Sequence, residues 1–223
     1  MRQQSMRAGM WLAAIVMAAV VWVIGPSVAM ADEKGNVVFF RGGYAGLTSD
    51  RSNEVFTDTL GLNGTRDTNT SGYYVGGGLD LMLSKDAWGM MNNISVLGEI
   101  GVEFKRWESN GVRNTTSQLL GGTATSVTQL TMLTVDISPK LKFNQFGNLV
   151  PWIIPIGLDF HVISPPSNNS NYLDIGVQFG AGAEYQVWKE FKLGVDARFH
   201  LASNQTSTVN NFFTVGPYVG IGF

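Results

Sequence analysis

Two histidines, His161 and His200, and a nearby serine, Ser203, are the residues of this chain whose types and spacing could do chemistry. A serine activated by a histidine attacks acyl carbonyls when an acidic third group orients the imidazole. In Phe199-His200-Leu201-Ala202-Ser203-Asn204, two residues separate the histidine from the serine. Side chains on a strand alternate between faces, so this spacing sends the pair to opposite sides. A bulge would repair the spacing but would not supply an acid. The two histidines could instead share a metal, with Asp159 two residues from His161 as an oxygen donor. Zinc asks for a third strong ligand in a defined set, and none is evident. A polar histidine hydrogen-bonded to a carboxylate is the plainer role. Arg41, Lys192 and Arg198 with Glu184 and Asp196 could form a gate or an ion path. A static network of the same groups is preferred. The expectation is therefore no catalytic residue, no metal ligand and no cofactor site.

These residues sit on segments with a period of two, the signature of strands. Eight such segments are legible: 36–46, 72–83, 94–106, 127–143, 150–162, 173–187, 191–201 and 211–223. Each puts large apolar residues on one face. In the last, Phe213, Val215, Pro217, Val219, Ile221 and Phe223 oppose Thr214, Gly216, Tyr218, Gly220 and Gly222. In 150–162 the apolar set is Val150, Trp152, Ile154, Ile156, Leu158, Phe160 and Val162, with Asp159 and His161 opposite. The faces opposite the apolar sets collect acids (Asp80, Glu99, Glu103, Asp136, Asp159, Asp174, Glu184, Asp196) and bases (Arg41, Lys105, Lys140, Lys142, Lys192, Arg198). The segments are long for soluble strands and suit a tilted bilayer crossing.

The connections alternate in length. Residues 47–71, 107–126, 163–171 and 202–210 are long and polar, whereas 84–93, 144–149 and 188–190 are shorter. Long loops on one side and short turns on the other, with both termini on the short side, is the arrangement of a transmembrane barrel. The link 84–93 is too apolar for an ordinary turn because of Trp88, Met90 and Met91, and is expected to dip toward a membrane interface.

Residues 1–31 read as an export signal that is cleaved. Arg2 and Arg7 precede an apolar run over 9–24, Gly25-Pro26 breaks it, and Ala29-Met30-Ala31 is a small-x-small cleavage site. An uncleaved inner-membrane anchor is the alternative, since the run would just span a bilayer. Residues 32–223 form one domain. Loss of Arg2 and Arg7 takes Lys plus Arg from 15 to 13 against 17 Asp plus Glu, a charge of about −4. No basic stripe with interleaved aromatics is present, so nucleic acid is not an expected partner. Cysteine is absent, which removes disulfides and thiolate chemistry. After residue 31 no uninterrupted apolar run is long enough for a membrane helix, and Pro151 and Pro155 break the nearest approach.

Both a soluble sandwich and a lipocalin-like barrel show alternating strands. They carry charge outside and apolar side chains within. Here the apolar faces are large and continuous, while the opposite faces are rich in glycine and in charges of both signs. Glycine weakens a soluble strand but makes room inside a narrow barrel. Near-balanced charges suit a packed interior, where each must be paired. The fold expected is all-β, an eight-stranded antiparallel up-and-down transmembrane barrel filled by ion pairs. Trp152, Tyr185, Trp188 and Tyr218, near strand ends, are expected in an interfacial aromatic belt.

The terminal Pro217-Tyr218-Val219-Gly220-Ile221-Gly222-Phe223, the Ile137-Ser138-Pro139-Lys140-Leu141-Lys142-Phe143 strand and Gly72-Tyr73-Tyr74-Val75-Gly76-Gly77-Gly78-Leu79-Asp80 resemble small bacterial outer-membrane barrels of the OmpA-like or OmpX-like kind. The resemblance covers the mature chain and rests on architectural motifs. It implies residence in the cell outer membrane among lipid and lipopolysaccharide. It also implies recognition of Phe223 by the barrel-assembly machinery. An extracellular ligand at the loops is expected. Phe199 to Asn204 resembles imperfectly the His-x-Ser-Asn segment of outer-membrane lipid A deacylases, but no Glu follows Glu190 to act as the orienting acid. The expected role is thus non-enzymatic, structural or surface-interacting. The alternatives are a small channel for ions or solutes and, less favoured, a lipid A-modifying enzyme.

Overall fold

Alternation of large apolar with small or charged residues gives ribbons with two unlike faces, and closure puts one face inside. The computed structural model describes residues 35–48, 70–107, 110–113, 125–128, 131–164, 173–203 and 210–223. Its strands are β1 (Val37–Leu47), β2 (Ser71–Ser84), β3 (Ile94–Trp107), β4 (Asn110–Arg113), β5 (Thr125–Thr128), β6 (Thr131–Phe143), β7 (Leu149–Ser164), β8 (Leu173–Gln186), β9 (Phe191–Ala202) and β10 (Phe212–Gly222). Eight of them close an antiparallel barrel in the order β1-β10-β9-β8-β7-β6-β3-β2. The seam runs between β1 and β10, where Val37 faces Gly222 and Leu47 faces Phe212. The amide of Phe223 donates to the carbonyl of Asn36, tying the two ends of the barrel wall. The expected leader, 1–31, lies outside the described residues, as do most of the long connections.

One expected strand divides. The segment 127–143 contains β6 and the end of β5, and β5 pairs with β4 in a two-stranded ribbon of its own. Part of the long connection 107–126 is therefore paired backbone. Val112 and the run Thr125-Ser126-Val127-Thr128 carry the β-branched residues that favour extended pairing.

The phase of β7 corrects the sequence expectation. Val150, Trp152 and Ile154 do not share a face with Ile156, Leu158 and Val162, because a bulge lies between Ile154 and Gly157. Pairing with β6 slips in the same stretch, between Ile137 and Leu141. On both sides β7 carries one residue more than its partner. Pro155 and Pro139 sit at this point, and neither can donate to the ladder, so it is interrupted where the bulge is inserted. Trp152 and Ile154 consequently point inward and are buried, while Ile153 is exposed on the wall. Gly157 then follows with its Cα against Ser138, whose hydroxyl a Cβ would strike.

Candidate functional site

With charges on the inward phase of every barrel strand except β10, closure stacks them into a continuous lumen network. At its centre Arg41 of β1 reaches Glu99 (2.9 Å) and Glu103 (2.6 Å) on β3 and Asp136 (3.0 Å) on β6. Arg198 of β9 meets the same Glu99 at 2.6 Å and its own-strand Asp196 at 2.9 Å. Gln178 of β8 joins them, donating to Asp136 (3.0 Å) and Ser138 (2.7 Å) and accepting from Arg198 (3.2 Å). Toward the short turns, Lys140 bridges Asp80 and Glu99, both at 3.0 Å. Lys142 binds Asp80 and Glu184 at 3.1 Å, and Lys192 adds a 3.0 Å pair with Glu184. Of these groups only the Lys192 side chain keeps appreciable exposure, at 20%. Burying an ion costs several kcal/mol, so each charge survives only because opposite charges and donors surround it.

Aromatic rings occupy the same interior. The Lys140 ammonium lies 4.3 Å from the Trp152 ring and 5.2 Å from that of Tyr218, and Phe39 stacks on Tyr218 at 5.6 Å. Cation–π attraction of roughly 0.5–2 kcal/mol per ring supplements the carboxylates. Trp152 and Tyr218 are thus not belt residues, correcting that expectation. The bulge turns Trp152 inward, and strict alternation in β10 places Tyr218 inside whatever its distance from the strand end. Tyr185 and Trp188 do lie exposed on the outside.

At the barrel end from which the long connections leave, Ala45, Leu47, Tyr74, Trp107, Met132, Ile163 and Phe212 form a buried apolar cluster. Hydrophobic side chains of β1, β2, β3, β6, β7 and β10 thus line the lumen at that end, a layer missed by counting charges. Its signal was present: Trp107, Met132 and Ile163 fall on the phase of Lys105, Thr134 and His161 in their strands.

The residues singled out for chemistry lie just below this cap. His200 bonds through Nδ1 to Asp159 at 2.7 Å and stacks on Phe212 at 4.2 Å. His161 Nδ1 pairs with the Thr134 hydroxyl at 2.9 Å, and Lys105 donates to that same hydroxyl at 2.8 Å. Ser203 donates instead to Asp174 at 2.7 Å, and Asn210 donates to the other oxygen of that carboxylate at 2.9 Å. Among the described residues His200 Nε2 has no hydrogen-bond partner, so His200 and Ser203 are not joined as nucleophile and base. Among the described residues, no group of three or more His, Asp or Glu side chains is placed to hold a metal. Arg41, Lys192, Arg198, Glu184 and Asp196 do belong to one interior, all within the paired network.

The outer wall is the reverse. Phe40, Val75, Val102, Phe104, Leu133, Ile156, Phe179, Val195 and Phe213 are among the large apolar residues left exposed. A crystal structure of Neisserial surface protein A is similar over 85% of this chain and 97% of that one, with a TM-score of 0.53 and 13% identity. The fold is that of the small eight-stranded outer-membrane β-barrels. The outer membrane enzyme PagL aligns over 85% of this barrel chain and 100% of its own at 13% identity, with a TM-score of 0.48. No protein-family model and no curated protein matches the barrel's sequence.

Proposed function

We propose that the chain is exported, loses residues 1–31 and resides in the outer membrane as a non-enzymatic barrel. It presents its long polar connections, above all 47–71 and 107–126, to a partner or to the cell exterior. The observation that carries this reading is the inside-out distribution: charges are buried in the lumen and large apolar side chains cover the wall. Leaving a Val, Leu or Phe in water forgoes roughly 1.5–3 kcal/mol each. Over such a wall that comes to tens of kcal/mol, more than the whole stability of a typical domain. Hydrocarbon removes the penalty. Lipid and lipopolysaccharide are its surroundings, and Phe223, exposed beside the β1–β10 seam, is the group offered to the assembly machinery.

The filled lumen and its apolar cap favour a structural or adhesive role over conduction. The separate commitments of His200 to Asp159 and of Ser203 to Asp174 favour it over acyl hydrolysis. Two assays test these points. Reconstituted in planar bilayers, the barrel should pass no steady current. Lipid A from cells with and without the protein should show one acyl pattern. A sustained single-channel conductance would replace this reading with the channel, and a lost acyl chain with the enzyme.

A further inference from the structure

The link between β2 and β3 holds three successive residues in the left-handed region: Ala87 (φ 48°), Trp88 (φ 59°) and Gly89 (φ 78°). Glycine adopts this freely, whereas the other two do so at a cost that the surroundings must hold in place. Ser84 supplies the hold. Its hydroxyl accepts from the amide of Trp88 at 2.7 Å, and the amides of Gly89 (3.1 Å) and Met91 (3.0 Å) both donate to the Asp86 carbonyl.

The turn leaves β2 just after a bulge between Met82 and Ser84, which brings Ser84 opposite Val96. Val96 lies on the outward phase of β3, together with Val102 and Phe104. The turn is tied to both phases of β3, since the Lys85 carbonyl accepts from the hydroxyl of Ser95 on the inward phase at 3.2 Å. Val102 and Phe104 are 47% and 40% exposed, Leu83 beside the turn 40%, and Val96 only 6%. Trp88, Met90 and Met91 project beyond, 66%, 75% and 56% exposed.

We propose that this turn is a membrane-surface anchor, seated at the headgroup–acyl boundary of the leaflet on the short-turn side, with phospholipid as its partner. Its apolar surface is continuous with the lipid-facing wall, and an amphipathic tryptophan suits that depth. The strained backbone holds Trp88 exposed where an ordinary turn would present a polar side chain. The proposal rests on the membrane reading above.

The chain has no cysteine, so Met90→Cys carries a single environment-sensitive fluorophore. Val102→Cys marks the middle of the wall, and Lys189→Cys marks another short turn as the aqueous reference. The full mature barrel is reconstituted in phosphatidylcholine vesicles brominated near the headgroup or near the chain ends. The label at 90 should be quenched most by the shallow bromines and be several-fold less open to iodide than the label at 189. Should Met90→Cys fail to fold, Met91→Cys gives the same readout. Iodide access at 90 equal to that at 189, with 102 still quenched by lipid, would overturn the anchor and leave the turn to a protein partner. Absence of lipid quenching at 102 would overturn the membrane reading itself, and the anchor with it.

Discussion

Glu99 is the residue on which the interior turns, because Arg41, Lys140 and Arg198 all rest on it. Its removal leaves three buried cations short of a counter-charge. Breaking a buried pair from one side costs about 3–5 kcal/mol. Glu99→Gln should therefore lower stability by that order in a denaturant titration of the refolded barrel. Glu190→Gln, in an exposed turn, should stay within about 0.5 kcal/mol of the parent. Equal stabilities for the two variants would mean that the lumen charges are solvated rather than packed. His200 belongs to the same logic. His200→Ala leaves Asp159 without its imidazole, so it should cost roughly 1–3 kcal/mol. It should leave the lipid A acyl pattern as it is in the parent, as read by mass analysis. An altered pattern would restore a catalytic role to the histidine.

Among the elements, the seam between β1 and β10 and the β2–β3 turn carry the sharpest backbone demands. At the seam Gly216 approaches Gly42 so closely that a Cβ would run into its carbonyl oxygen, and Pro217 beside it cannot donate. Gly216→Val should block closure, and the chain should migrate as the unfolded band in an unheated gel. A normal folded band would show that the seam has more slack than its geometry allows. In the turn, Ala87→Gly relieves a left-handed residue and should raise stability by about 1 kcal/mol, read as a shifted denaturation midpoint. These same elements mark where the sequence was readable. Strands such as β8 and β9 alternate cleanly between apolar and charged or small residues, so their phase could be read directly. In β7 the run Trp152-Ile153-Ile154-Pro155-Ile156 is apolar on both phases, so alternation held no information there and the bulge stayed hidden. The carboxylates and bases of the lumen were legible because each has polar company on one phase. The apolar cap shares that inward phase, with Trp107, Met132 and Ile163 beside Lys105, Thr134 and His161, but it carries no charge to single it out.

For the molecule as a whole, sidedness decides everything else. The wall presents apolar side chains around its circumference, the lumen pairs its charges, and the strand ends joined by the long connections share one end of the barrel. An arginine placed in the wall should be costly in proportion to its depth. Val102→Arg should lose about 2–4 kcal/mol of stability in bilayers, while a substitution in a long connection should be nearly silent. The most direct measurement is the behaviour of purified residues 32–223 with and without amphiphile. Folded, monodisperse monomer should exist only in detergent or lipid, and dilution below the micelle threshold should drive it to aggregate. A stable, water-soluble monomer with full β content and no bound amphiphile would contradict the placement of hydrocarbon against the wall.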